Sequence, residues 1–173
     1  PNYLNYMMSS DNCSLFKNIH KIPAGSFVKF KKSSEFRVDK YWSPVSNLKG
    51  YTELNEKEIQ DETIRLIRTA IKDRMMSDVP FGVFLSGGID SSLNVALMSE
   101  LMTNSVDTYT VGFKELQKYN ELEYANQISK LYNTNHHEIL IDDKDGLSVL
   151  EDLAFYEDEP NGDPVCIPLY FLS

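Results

Sequence analysis

The run Val79-Pro80-Phe81-Gly82-Val83-Phe84-Leu85-Ser86-Gly87-Gly88-Ile89-Asp90-Ser91-Ser92-Leu93 constrains the fold more than any other part of the chain. Its apolar start, Val79 to Leu85, has the length of a strand buried on both faces. Ile89, Leu93, Ala96, Leu97 and Leu101 follow at three- and four-residue steps, which predicts a helix. Between them, Ser86-Gly87-Gly88 lets the main chain turn sharply and lets another molecule approach it. A strand, a glycine turn and a helix start gather free N–H groups and the positive end of the helix dipole at one point. That arrangement suits an anion, most often a phosphate. Asp90 would stand beside it, and a carboxylate next to a polyphosphate needs a cation between them, so Asp90 reads as a Mg²⁺ ligand. The same residues also serve as a plain tight connection, with Asp90 as a dipole contact.

The turn is neither a Gly-Lys-Ser/Thr phosphate loop nor a GxGxxG fingerprint. Leu85-Ser86-Gly87-Gly88-Ile89-Asp90-Ser91-Ser92 resembles the SGGxDS PP-loop of the ATP pyrophosphatase superfamily at every motif position. In that superfamily the loop holds the pyrophosphate part of ATP while the α-phosphorus is attacked.

With 173 residues the chain can bury one sizeable core, with room for an appendage. Its 17 basic and 26 acidic residues give a net charge of −9 without a basic stripe, which argues against nucleic acid as the main partner. Cys13 and Cys166 lie far apart and form no CxxC or zinc spacing, which suits two free thiols in a reducing cytoplasm. No apolar run reaches the length of a membrane span, and no signal peptide opens the chain. The first residue is Pro and the last ones read as the start of a helix, so a piece of a longer polypeptide is expected.

Residues 1–46 have a texture of their own. Phe27-Val28-Lys29-Phe30-Lys31 alternates as a half-exposed strand does, Lys31-Lys32-Ser33-Ser34 reads as a turn, and no helix-length pattern is evident. A small β appendage is expected, followed by a linker. Phe16-Lys17-Asn18-Ile19-His20-Lys21-Ile22-Pro23-Ala24-Gly25 and the later Tyr41-Trp42-Ser43-Pro44 are similar to the end of the glutaminase domain of glutamine-dependent asparagine synthetases.

Asn55-Glu56-Lys57-Glu58 is a capping-box pattern opening a helix, with Ile59, Thr63, Ile64, Ile67, Ala70, Ile71 and Met75 on its core face. Val106 to Phe113 reads as a strand, with Val106, Thr108 and Thr110 on one face and Tyr109, Val111 and Phe113 on the other. With the glycine turn this makes a βαβ unit, hence parallel strands and a right-handed crossover. Ligands of such sheets lie beyond the carboxyl ends of the strands, which brings Val111-Gly112-Phe113 beside Ser86-Gly87-Gly88. Val111 would wall a base and Gly112 would let it close in; core packing explains Val111 about as well.

Asn120-Glu121-Leu122-Glu123 reads as a second capping box, with Leu122, Ala125, Ile128 and Leu131 inward. His136 to Ile141 reads as a third strand. Adjacent strand residues point to opposite faces, so His136 and His137 are not expected to share a metal ion. Asp142 to Asp145 reads as a turn and cap before a helix from Gly146 to Glu157, with Leu147, Leu150, Leu153 and Ala154 on one face. The loop Asp158-Glu159-Pro160-Asn161-Gly162-Asp163-Pro164 is either an exposed charged loop or part of a substrate site.

From about residue 55 onward the chain resembles the first part of the synthetase domain of class B asparagine synthetases, through Asp78 to Ser92, Thr110 to Phe113, His136-His137-Glu138 and the segment from Asp158 to Ser173. The resemblance implies an α/β fold: a parallel sheet with helices on both faces, incomplete here, after a small β segment. It divides the chain into 1–46, the tail of a glutaminase-like domain and linker, and 47–173, the first part of an ATP-binding domain. It implies ATP held by Leu85, Ser86, Gly87, Gly88, Asp90, Ser91, Val111 and Gly112, with Mg²⁺ on Asp90, the candidate catalytic residue, and on a second acidic residue. The implied reaction joins a carboxylate, aspartate above all, to AMP with loss of pyrophosphate, and ammonia from glutamine then displaces AMP. The implied partners are these small molecules, not nucleic acid or membrane, and a homodimer is allowed.

Cys13 is not in the context of the family's amino-terminal cysteine nucleophile, and no SGxGxDE signature occurs. The chain is therefore expected to hold part of a site and to bind nucleotide weakly by itself. Pro164 and Val165 replace small hydroxyl residues of many relatives, which leaves open another acceptor such as a sugar carboxylate or a cyclising acid. A non-catalytic nucleotide binder and a glycine turn without a ligand also remain open.

Overall fold

The computed structural model describes residues 2–7, 9, 12–31, 35–45, 53–115, 118, 120–159 and 161–173. The expected turn at 32–34, the 46/47 boundary with its linker and Pro160 lie outside the described residues.

The amino-terminal part holds a short helix α1 (Asn2–Tyr6), where the sequence suggested only β structure, and then strands β1 (Ser26–Phe30) and β2 (Phe36–Lys40). Five residues make one helical turn, too few to show a periodic pattern. β1 and β2 pair antiparallel, Val28 opposite Val38 and Phe30 opposite Phe36. The carbonyl of Gly25 accepts from the amides of Tyr41 and Trp42 at 2.8 and 3.1 Å, so the two short motifs flanking the hairpin meet.

The larger part follows the βαβ reading. Helix α2 (Glu56–Arg74), strand β3 (Gly82–Phe84), helix α3 (Ile89–Leu101), strand β4 (Asp107–Phe113), helix α4 (Leu122–Tyr132) and strand β5 (Asn135–Ile141) come in that order. The strands are parallel in spatial order β3-β4-β5, Gly82 opposite Asp107 and Asp107 opposite Asn135. Helices α5 (Asp143–Ser148), α6 (Leu150–Tyr156) and α7 (Cys166–Leu172) complete the described chain.

The core lies on one face of this sheet. Ile71 of α2 packs with Leu97 and Met98 of α3 and with Val106, while Leu85, Val95 and Ala125 form a second cluster between α3 and α4. Val106, Thr108 and Thr110 share one face as their alternation predicts, and that face is the one turned into this core, while α7 packs against β4 and β5. Asn55 caps α2 in a full capping box with Glu58.

Several expectations need correction. β3 starts at Gly82, not Val79, and among the described residues it lies at the edge of the sheet, where Phe84 stays 45% exposed instead of being covered on both sides. Only the carboxyl-terminal half of α2 meets α3, and Ile59 and Ile64 are exposed. Leu97 is buried in α3 as expected, but Ile89 lies outside the buried stripe, which Val95 and Met98 complete. In α4 Ala125 is buried and Ile128 packs against the core as expected, but Ser129 joins the inward face and Leu131 is 70% exposed. The single helix expected over 146–157 is two: α5 starts at Asp143, capped by Asp142 and Asp145, and the break at Val149 turns that residue inward while Leu147 stays exposed.

Candidate nucleotide site

Strand β3 delivers Leu85 to the carboxyl edge of the sheet, fully buried. Its amide donates to the Tyr109 carbonyl at 2.8 Å, and its own carbonyl accepts from the Thr110 hydroxyl. With both main-chain groups fixed, the next residues leave the sheet from a rigid point.

Gly87 then takes φ +82°, and a Cβ there would stand 2.7 Å from the Ala125 amide nitrogen. Both the left-handed backbone and the contact with α4 demand glycine. Two hydroxyls close the loop. Ser91 Oγ donates to the Gly88 carbonyl at 3.1 Å and accepts from the Ser86 amide at 3.3 Å. Ser86 Oγ accepts from the Gly88 amide at 3.2 Å and lies 3.0 Å from Ser91 Oγ. Because the single Ser91 proton goes to Gly88, Ser86 is the donor in that last pair. Both hydroxyls therefore brace the loop.

Gly88 is the N-cap of α3 and supplies no side chain, so the first-turn amides of Ile89, Asp90 and Ser91 are the donors left for an anion. Asp90 stands in this turn, exposed and without a hydrogen-bond or ion-pair partner among the described residues. One free carboxylate beside unpaired helix-start amides fits Mg²⁺, which takes one or two carboxylates and fills its shell with phosphate oxygens and water. Among the described residues no group of three His, Cys, Asp or Glu side chains gathers into a site made by protein alone.

A cleft of about 360 Å³ opens beside the loop. Leu85, Ser86, Ser91 and Val111 line it with Tyr109, Thr110 and Phe113, and α7 closes it with Val165, Pro168, Leu169 and Leu172. That volume lies within the ordinary range of small-molecule sites. Gly87, Gly88 and Asp90 belong to the loop and not to the cleft wall. Gly112 faces the other way: a Cβ there would meet Leu122 and Leu140 at 2.7 and 3.0 Å, so its small size serves helix packing. Tyr109 and Phe113 could have been read from the sequence, since they share the face of Val111 at period two. No local pattern speaks for the α7 wall, which depends on packing between distant parts of the chain; only the resemblance over Asp158 to Ser173 points to that segment.

The second capping box does not form. The Asn120 side chain instead brackets the main chain of Phe113, accepting from its amide at 2.7 Å and donating to its carbonyl at 2.9 Å. This pins the end of β4 and the start of α4, with Glu121 on the cleft wall. His136 and His137 do point to opposite sides. His136 Nδ1 lies 2.9 Å from the Thr108 hydroxyl, and burial pushes its pKa down; His137 is exposed and stacks on Tyr109 with ring centres 4.9 Å apart. Lys114 bridges Asp142 and Asp145 at 3.0 and 3.1 Å. The Asp145 amide and Lys114 hold the Asp142 carboxyl at about 2. No helix among the described residues is long and apolar enough to cross a membrane.

The Asparagine synthase family model matches residues 62–173. A Methanocaldococcus jannaschii protein named "Putative asparagine synthetase (glutamine-hydrolyzing) 2" is 34% identical over 92% of this chain and 30% of its own length. Asparagine synthetase (glutamine-hydrolyzing) 1 of Bacillus subtilis is 29% identical over 99% of this chain and 26% of its own length. Amidase chry2 of Gibberella zeae is 26% identical over 87% of this chain and 24% of its own length. The chain thus spans less than a third of the length of the curated relatives it matches. A glycine loop set between a parallel strand and a helix, and a family match that contains that loop, place this chain in the asparagine synthase family.

Proposed function

We propose that this chain carries the nucleotide half of the active site of an ATP-dependent amide-forming ligase. The observation that carries the reading is the junction of the braced glycine loop with the apolar cleft beside it. The amides at the start of α3 would hold the phosphates, with Leu85, Ser86, Gly87, Gly88 and Ser91 shaping the loop. Val111 and Leu85 would flank the base, and Gly112 would support this wall from behind. Asp90 would hold Mg²⁺, which supplies charge neutralisation for the polyphosphate when bound.

The proposed reaction is attack of a substrate carboxylate oxygen on the α-phosphorus of ATP. An acyl-adenylate forms and pyrophosphate leaves. Ammonia derived from glutamine then attacks the acyl carbon, AMP departs and a proton is lost from nitrogen, which leaves an amide. Positioning and charge stabilisation are what the loop contributes. Aspartate is the proposed acceptor, the cytoplasm the proposed compartment and a homodimer an allowed assembly. A second acceptor class is favoured by one observation: Val165, apolar, stands on the cleft wall where many relatives carry a hydroxyl.

ATP–pyrophosphate exchange by the whole polypeptide tests the reading. Exchange is expected to require a carboxylate acceptor and to vanish in Asp90→Ala without a change in melting temperature. Exchange with other carboxylates but not aspartate would move the proposal to the second acceptor class. Exchange that persists in Asp90→Ala would remove Asp90 from the metal site.

A further inference from the structure

The loop between α6 and α7 is held from a place far away in sequence. Glu159, its side chain 19% exposed, receives donors from three residues of the amino-terminal segment. The Leu15 amide donates to Oε1 at 2.8 Å, the Ser9 hydroxyl lies 3.4 Å from Oε2, and the Lys21 ammonium pairs with the same oxygen. Lys21 Nζ also donates to Ser9 Oγ at 2.7 Å. The donors are prearranged: the Lys21 amide donates to the Asn12 carbonyl at 2.8 Å, and Cys13 bridges His20, which closes the small loop bearing Leu15. Lys21, followed by the Leu15 amide, holds the Glu159 carboxyl below its usual range. A second contact joins the same two parts, since a Cβ on Gly162 would meet Met7 Cβ at 2.9 Å.

The loop held in this way is not an isolated surface feature. Asp163 Oδ1 accepts from the Val165 amide at 3.0 Å, and the Leu169 amide donates to the Val165 carbonyl at 3.1 Å, so the loop runs directly into α7. Val165, Pro168, Leu169 and Leu172 are the side of the cleft that faces the glycine loop. We propose that Glu159 is a positioning residue that clasps the amino-terminal segment to the α6–α7 loop, so that Ser9, Leu15 and Lys21 set where α7 closes the cleft. A carboxylate with three converging donors suits this task, because charge-assisted hydrogen bonds are short and directional. The clasp rests on this geometry alone; its effect on nucleotide affinity also rests on the ATP site proposed above.

Amide hydrogen exchange in the intact chain reads the two ends of the clasp separately. In Glu159→Ala and in Lys21→Met, exchange at Leu15 and at Leu169 is expected to quicken together, by about tenfold for a lost charge-assisted bond. The amides of β4 should be unchanged, and Lys21→Arg, which keeps a donor in place, should restore slow exchange at both reporters. The dissociation constant of Mg·ATP should rise about threefold or more in Glu159→Ala and in Lys21→Met and stay near the wild-type value in Lys21→Arg. Quickening at Leu15 without Leu169 would reduce the clasp to a local contact and overturn the proposal, as would no change at either. Wild-type protein that binds no Mg·ATP would overturn the nucleotide reading, while the exchange result still decides the clasp.

Discussion

The glycine loop at 86–91 and the acidic loop at 157–165 lead into two helices, α3 and α7, that wall the same cleft, yet they are fixed in opposite ways. The glycine loop is shaped by its own residues: Ser86, Gly88 and Ser91 bond to one another within five positions, and Gly87 alone admits the turn. The acidic loop takes its anchor at Glu159 from Leu15 and Lys21, across 144 positions in the case of Leu15. A locally encoded loop forms wherever its strand and helix form. A remotely anchored one reports on the state of another part of the molecule, and this makes it the adjustable wall of the two.

The largest effect that would break this comparison is expected from Gly87→Ala. An L-residue at φ +82° is strained by roughly 1–3 kcal/mol, and its Cβ would press on the α4 main chain at Ala125. Thermal unfolding should show a clear loss of stability, and calorimetry should show Mg·ATP binding lost. An alanine variant that melts like the wild type and binds ATP would mean that the loop does not depend on its own geometry.

How legible each region is in sequence follows from the same difference. The strand, turn and helix around Gly87 could be read because apolar length, glycine and helical spacing all lie within fifteen residues, roughly, of one another. Thr108 and Thr110 share one face, as read, because a strand has only two faces; that this is the buried face is decided by the helices packed on it. Helix faces were harder. Ala125 is inward as its spacing suggests, but Leu131 is not: the small Ser129 takes an inward position beside Ala125, and the larger side chain turns to solvent. Asn120 was read as a cap from local pattern, whereas its amide found a better complement in the two main-chain groups of Phe113. Glu159 could be read only as one more acid in a polar loop, since nothing near it in sequence names Lys21 as its partner.

A smaller effect should come from Asp163→Ala. This side chain accepts from the Val165 amide at the entrance to α7, and the loss of such a capping acceptor costs about 1 kcal/mol. Exchange at Leu169 should quicken while Leu15 remains slow, because the Glu159 contacts stay in place. Faster exchange at Leu15 as well would show that the clasp depends on α7 and not the reverse, which would sharpen the direction of the coupling.

The smallest effect is expected from acid, and it separates the sheet side of the molecule from the acidic loop. Beneath the strands a polar chain runs from His136 Nδ1 to Thr108 Oγ1 at 2.9 Å, on to Thr134 at 2.8 Å and then to Ser129 at 2.9 Å. Burial lowers the pKa of His136, and His137 adds to this; Glu138, 3.5 Å from Nε2, opposes it. The unfolded chain therefore binds the proton more readily than the folded one does. Stability from this group is complete above the ordinary histidine pKa of about 6.5 and falls as the pH drops from there toward the lowered folded value. Urea midpoints should decline on acidification through this window, and His136→Gln should flatten the decline. Lys21 and the Leu15 amide hold the Glu159 carboxyl below its usual range, so exchange at Leu15 should not follow the decline that begins at the ordinary histidine pKa of about 6.5. A common pH profile at both places would mean that one cooperative unit holds both loops, and the contrast between local and remote anchoring would then be one of sequence distance only.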